Sequence, residues 1–246
     1  MKKQATLSFR GMSIVLKFGR YKLGYGFSGI SGTDFIQPSE IYPITRGIVE
    51  EALYDHGRAI KTLTVHVPSN FIRVIDGKID CDDNFVAVLK AATDGFGLRE
   101  VVFVAEIQQF GAPDGTLISV NLLDTTVAVI QGKSLLAINT VPIGYSHFVN
   151  DLVVVKKIEP EQAEEILSQA VITLDATPKE AYEIRERNFA VREINDIIKS
   201  RIEELSEEII DFLDIRPVHL RGEFDKIYGA RNYLAQILGF NVKSIC

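Results

Sequence analysis

The feature of this sequence that most restricts its fold is an order of elements that occurs twice: three strands in succession, then helices alternating with strands. In the first part, strands are predicted over residues 13–18, 22–30 and 33–41, the last ending near Pro38 and Pro43. A helix follows over 48–60, carrying Val49, Leu53 and Ile60, and then a strand over 63–67 that Pro68 stops. Asp82-Asp83 caps a helix that runs to about Thr93, with Phe85, Val86, Leu89 and Ala92 on one face and Gly95 and Gly97 ending it. Residues 100–105 are nearly all apolar, as expected of a strand in a sheet with helices on both faces.

A break rich in Gly, Pro and Asp over 111–115 separates the two parts, giving expected lobes at 1–110 and 116–246. The second part starts again with strands over 116–122, 126–130 and 135–141. Helices open near Tyr145 and at Glu159-Pro160-Glu161, where proline suits the first turn. Residues 175–179 read as a turn, and 190–213 as a long amphipathic helix with Ile194, Ile197, Ile198, Ile202, Leu205, Ile209 and Phe212 at three- and four-residue steps. A strand over 218–221, a helix over 225–238 and a strand over 241–245 complete the chain. The fold class is α/β, with two lobes.

Composition narrows the setting. With 246 residues, 46% of them hydrophobic, the chain can build its core without staples. Cys81 and Cys246 lack any paired spacing that would suggest zinc or a disulfide framework, which fits a reducing cytoplasm. No apolar run is long enough to span a bilayer, and Met1-Lys2-Lys3 is followed by polar residues rather than a signal-peptide core. A formal charge of -6 disfavours nonspecific nucleic-acid binding. The early cluster Arg10, Lys17, Arg20 and Lys22 reads as a solvated basic edge.

Two stretches imitate phosphate-binding motifs. Gly132-Lys133-Ser134 resembles the end of a P-loop, but Val127 stands where its first glycine is required, and the flanking strands place it at a hairpin tip. Gly24-Tyr25-Gly26-Phe27-Ser28-Gly29 is a formal GxGxxG, yet turn formers and prolines follow where a helix would have to begin, so a twisted or bulged strand is expected.

Two tandem halves of this order resemble the actin-like (ribonuclease H-like) nucleotide-binding fold of actin, sugar kinases and DnaK-type chaperones. Within it, the chain is most similar to the FtsA/PilM family. The similar stretches are collinear. Ile14-Val15-Leu16-Lys17-Phe18-Gly19-Arg20 stands where the family has its first phosphate hairpin, and Arg46-Gly47-Ile48-Val49 where its first helix begins. Residues 91–98 resemble the "A…GL" that precedes a strand. Thr140-Val141-Pro142-Ile143-Gly144 resembles the "IP-x-G" after the second hairpin, and Glu159-Pro160-Glu161-Gln162-Ala163-Glu164 an acidic helix start. The long helix over 190–213 and Leu220-Arg221-Gly222 with the helix after it complete the likeness.

The departures from that family matter as much. The first hairpin resembles Asp-x-Gly-Thr, whose acid organises magnesium; here Lys17 takes the acid's place, Gly19 is kept and Arg20 replaces the threonine. In the second hairpin, residues 119–132, an acid and consecutive glycines give way to Ser, Asn, Leu and Asp, with Leu122 and Leu123 where bare backbone is needed and Asp124-Thr125 following. At the adenosine loop, the usual glycine pair becomes Gly222-Glu223. The resemblance thus implies a degenerate nucleotide cleft at Lys17, Gly19, Arg20, Asp124, Thr125, Gly222 and Glu223, with no catalytic residue, no metal ligand and no cofactor. The alternative is ATP: Lys17 and Arg20 neutralising phosphate without hydrolysis, or a working, filament-forming ATPase. There is also too little chain between Pro68 and Asp82 for the inserted subdomain of FtsA and PilM, and no membrane-binding tail is expected after the last strand.

Other residues read as structural. His56, His66, His147 and His219 have no close metal spacing. Asp124-Thr125-Thr126 is good turn chemistry, against a nucleophile or magnesium site. Arg185, Arg187 and Arg192, interleaved with Glu180, Glu183, Glu186 and Glu193, read as a solvated helical face. No Ser/His/Asp or Cys/His set can be assembled.

The resulting expectation is a nonenzymatic scaffold or adaptor: a pseudo-ATPase that recruits protein partners of a membrane-linked cell-division or type IV pilus/secretion assembly, with self-association as a further partner mode. It is expected in the cytoplasm, held peripherally at the inner membrane through a partner, with neither nucleic-acid contact nor direct membrane insertion.

Overall fold

The structure is a computed structural model that describes residues 4–10, 13–26, 38–56, 60–107, 113–132, 134–173, 181–184, 187–213 and 217–245. It divides into two compact units, Met1–Gly111 with Lys133–Ile138, and Ala112–Gly132 with Asn139–Cys246.

The first unit is built on a five-stranded sheet. Strands β1 (Gln4–Arg10), β2 (Ser13–Phe18) and β3 (Tyr21–Gly26) form an antiparallel meander, and β4 (Thr62–Val67) and β7 (Glu100–Ala105) continue parallel to β1, in the order β3-β2-β1-β4-β7. Between β4 and β7 lie the hairpin β5 (Ile72–Ile75) and β6 (Lys78–Cys81) and helix α2 (Asp83–Thr93). The Asp82 carboxylate accepts from Phe85 N at 2.8 Å, the expected cap.

The meander is not the expected one. β1 was not read from the sequence, and residues 38–41, assigned to a third strand, open helix α1 (Pro38–His56); residues 33–37 lie outside the described residues. Pro38 begins the helix, where a missing N–H matters little, and Pro43 is accommodated inside it. Ile41, Thr45, Ile48, Val49 and Ala52 are buried at helical spacing, a stripe that the two prolines obscured.

Among the described residues, both helices of the first unit lie on one face of its sheet, where helices on both faces are expected from the sequence. Register puts Tyr21, Tyr25, Ile14 and Phe9 on one face. The Tyr21 hydroxyl donates to Asp55 of α1 at 3.1 Å, Tyr25 bonds Glu51 of α1, and the Phe9 ring lies 5.5 Å from that of Phe85 in α2. Both helices therefore cover this face.

The second unit repeats the topology. β8 (Gly115–Val120), β9 (Thr125–Gln131) and β10 (Ser134–Val141, of which 134–138 group with the first unit) form the meander, and β13 (Val218–Gly222) and β14 (Val242–Ser244) extend it, in the order β10-β9-β8-β13-β14. Gly132 sits at the hairpin tip between β9 and β10, its N–H bonded to the Asp114 carboxylate at 2.9 Å, and a strand rather than a helix follows, so no P-loop forms. Gly24 and Gly26 lie in β3, and no helix starts on them; residues 27–29 are outside the described residues.

Helices α3 (Tyr145–Lys156), α4 (Pro160–Gln169), α5 (Val191–Ile209) and α6 (Ala230–Leu238) bury their apolar stripes with Ile118, Val120, Val127, Val218 and Leu220 from one sheet face. The Arg201 guanidinium of α5 grips Asp151 of α3 with two hydrogen bonds of 2.7 Å. A hairpin of β11 (Ala181–Ile184) and β12 (Arg187–Ala190) replaces part of the expected helical face: Glu183 and Arg187 are in strands, Arg192 and Glu193 begin α5, and Glu180, Arg185 and Glu186 lie outside the described residues, as does the expected turn at 175–179. The helix expected over 225–238 is a single 3-10 turn, Glu223–Lys226, and then α6, separated at Gly229.

Candidate functional site

The second unit concentrates its unusual chemistry where β8 turns into β9. Val120 pairs with Thr125, and Asn121 N–H donates to Asp124 O at 2.8 Å, which leaves Leu122-Leu123 as a two-residue turn. The turn's carbonyls are aimed at α3: Tyr145 N–H donates to Asn121 O at 2.9 Å and Ser146 N–H to Leu122 O at 2.8 Å. These are the first two amides of the helix, which have no partner within it and carry the positive end of its dipole. The next residue, His147, turns its Nδ1 back to accept from Gly144 N–H at 3.1 Å. The start of α3 is thus closed by protein carbonyls where an open helix N-terminus would receive an anion.

Gly144 permits that closure. A Cβ there would lie 2.5 Å from Asp124 N, 2.5 Å from Leu123 C and 2.6 Å from Leu122 O, all backbone atoms. Its φ of -133° is ordinary extended geometry, so glycine is needed here for space rather than rotation. Leu123 is buried and Leu122 packs against the core, so side chains fill the turn.

Four of the sequence-derived site residues meet here. Asp124 accepts from Asn121 Nδ2 at 2.6 Å; burial pushes its pKa up, opposed by that hydrogen bond. Thr125 is fully buried and spends its hydroxyl on Ile143 O at 2.6 Å. Gly222 lies beside Val120 with φ 97°, and an added Cβ would stand 2.2 Å from Val120 O, so only glycine fits. Glu223 is ion-paired with Lys226, whose ammonium lies 4.9 Å from the centre of the Tyr145 ring. Burial first, then Glu164 and Glu223, push the Tyr145 phenol up to about 12.

Residues not singled out as site residues complete the arrangement. Arg221 Nε donates to Ser119 Oγ at 3.0 Å, Ser119 Oγ to Asn121 Oδ1 at 3.1 Å, and Asn121 in turn to Asp124. A cation is thereby linked to a carboxylate through two neutral side chains. Gly144 was visible as the end of the Val141-Pro142-Ile143-Gly144 stretch; nothing in the sequence signalled that Arg221 reaches Ser119, 102 positions away.

Lys17, Gly19 and Arg20 are not at the equivalent place in the first unit. They are exposed, with Gly19 (φ 60°) and Arg20 forming the turn from β2 to β3. By topology, the counterpart of the β8–β9 turn is the connection from β1 to β2, after the pair Arg10↔Ser13, at the opposite end of these strands. Omitting β1 moved the alignment by one hairpin. In the corrected register Ser8 answers to Ser119, and no Asp or Glu precedes Asp34 in the sequence, so neither the β1–β2 nor the β2–β3 hairpin carries a carboxylate of its own. Among the described residues, no three His, Cys, Asp or Glu side chains are grouped to hold a metal ion, and no helix is long and apolar enough to cross a membrane.

No family profile and no curated protein matches the sequence. Solved structures match it over almost its whole length. MreB5 of Spiroplasma citri bound to AMPPNP superposes with a TM-score of 0.70 at 10% identity, covering 98% of this chain and 90% of that one. The ethanolamine utilization protein EutJ from Carboxydothermus hydrogenoformans gives 0.58 at 17% identity, with 98% and 83% covered. PilM, in a PilM-PilN type IV pilus biogenesis complex, gives 0.60 at 13% identity, with 99% and 88% covered. This chain has the actin-like fold. At these identities the likeness to actin-like proteins shows architecture, and between β4 and α2 the described residues add only a 3-10 turn and the β5–β6 hairpin to it.

Proposed function

We propose that this actin-like protein is a nonenzymatic scaffold, a pseudo-ATPase that recruits protein partners to a membrane-associated cell-division or type IV pilus/secretion assembly. The observation that carries the reading is the closed start of α3, where Asn121 O and Leu122 O occupy the Tyr145 and Ser146 amides. Phosphoryl transfer depends on preorganised donors and cations around the phosphates. Here a triphosphate would have to displace two backbone hydrogen bonds, each worth about 1 kcal/mol net, and move packed leucines. The absence of any acid before Asp34 removes a magnesium-organising carboxylate from the first meander as well. A protein-binding role draws support from the similar PilM, solved with PilN, and self-association from a similar MamK described as a non-polymerising mutant. Cytoplasmic residence, with attachment to the inner membrane through a partner, follows from the same reading.

The second reading, an ATP-binding filament former, is favoured by the nucleotides in similar structures: MreB5 was solved with AMPPNP and with ADP, and the MamK mutant with AMPPNP. Calorimetric titration with ATP and magnesium, paired with phosphate release and thermal melting, separates the two. A nucleotide that binds only the folded state adds about 2.7 kcal/mol of stability at a hundredfold excess over its Kd. The scaffold reading expects no heat, no turnover and no melting shift at millimolar ATP; saturable binding with magnesium-dependent turnover would overturn it.

A further inference from the structure

Away from the β8–β9 turn, the face of the second sheet opposite Val218 and Leu220 carries a buried histidine with nothing to bind. His219 is 6% exposed, and neither Nδ1 nor Nε2 has a hydrogen-bond partner. A neutral imidazole presents one donor and one acceptor, and buried polar side chains are nearly always satisfied by protein, water or a ligand. Register places Lys243 beside His219 on β14, and Arg221 two residues along β13 on the same face. In-register neighbours have Cβ atoms about 5 Å apart and same-face neighbours along a strand about 7 Å, so these three nitrogen-bearing side chains start within reach of one small group. The adjoining positions on this face, Leu117, Ser119, Ala128 and Thr126, bring no carboxylate, and Thr126 Oγ1 is itself fully buried without a partner.

We infer that this face holds a small oxyanion, of the phosphate or carboxylate class, with the His219 ring N–H as its buried donor and Lys243 as the exposed cation beside it. Arg221, on the same face, is already engaged, its Nε donating to Ser119. No metal takes part, and the site does not depend on the scaffold reading, because His219 lies back along β13 from the closed turn.

The test uses the full chain without magnesium or nucleotide. Thermal melting is followed in inorganic phosphate and, separately, in acetate, each matched in ionic strength with chloride, while the His219 ring nitrogens are observed by NMR. Phosphate or acetate at millimolar concentration is expected to raise the melting temperature above the chloride control and to shift the His219 signals. Response to phosphate alone identifies a tetrahedral anion, and response to both a carboxylate-bearing one. His219→Leu, which removes the orphaned nitrogens, should fold and lose the anion response. Lys243→Gln, at an exposed position, should keep the chloride melting temperature and weaken apparent affinity about fivefold. If neither anion moves the wild-type melt or the His219 signals, or if His219→Leu keeps the response, the inference is wrong. A null result here leaves the ATP titration unaffected, so the two ideas fail separately.

Discussion

Replacing Gly144 with alanine tests the closure of α3 most directly. The added Cβ would start 2.5 Å from Asp124 N and Leu123 C, about 1 Å inside ordinary van der Waals contact, and no flexible side-chain end can yield. Either the turn or the helix start must move. Overpacking of this kind costs about 1–3 kcal/mol, and losing the Tyr145 and Ser146 bonds to the turn adds about 1 kcal/mol each, for roughly 3–5 kcal/mol. That is a large share of the 5–15 kcal/mol typical of a folded domain. Gly47 supplies the contrast: it is exposed within α1 with nothing within 4 Å of an added Cβ, so Gly47→Ala should stabilise by about 0.5–1 kcal/mol. Urea denaturation gives the energies, and hydrogen exchange at the Tyr145 and Ser146 amides shows where the loss falls. The reasoning fails if Gly144→Ala stays within about 1 kcal/mol of wild type, or if both amides remain as protected as before.

His147 gives a pH signature. Burial first, and then Arg201, hold its pKa below 6.5, against the Gly144 hydrogen bond, Asp151 and Glu204, which raise it. With the folded pKa depressed, the unfolded chain takes up the proton first, so stability falls as pH drops from about 7 through 6.5 toward the folded pKa. His147→Gln keeps an acceptor for Gly144 N–H and should flatten this slope in urea titrations from pH 5 to 8; equal slopes would exclude the assignment. Tyr182→Phe probes the α5 anchor: the buried hydroxyl accepts from Val171 N–H at 3.1 Å and donates to Asn195 Oδ1 at 3.3 Å, so its loss should cost about 1–3 kcal/mol in the same assay, and a neutral variant would count against the network.

Much of the fold was legible because the second unit follows local rules. Apolar strands, the Pro160 helix start and the Ile194-Ile198-Ile202 stripe each needed only near neighbours to be read. The first unit was harder. β1 itself shows strand alternation, Thr6 and Ser8 against Leu7 and Phe9, which the sequence reading missed, whereas Pro38 and Pro43 look like breakers although Pro38 opens α1 and Pro43 sits inside it. Missing β1 then displaced Lys17, Gly19 and Arg20 by a hairpin, an error that only strand pairing exposes. The short hairpins β5–β6 and β11–β12 were also missed, since four-residue strands carry too few alternations to stand out.

For the site, the sequence by itself determined which residues stand there: leucines in the second turn, glutamate after Gly222, and no acid before Asp34. Those follow from residue identity alone. Tertiary structure decided what the remaining groups do, because it brings together residues far apart in the chain. It sets Gly144 against the Leu122-Leu123 turn, joins Arg221 to Ser119, and buries His219 without a partner. Whether a backbone amide is open to a ligand or already bonded depends on distances of a fraction of an ångström, and such distances are fixed by packing, which no local pattern encodes.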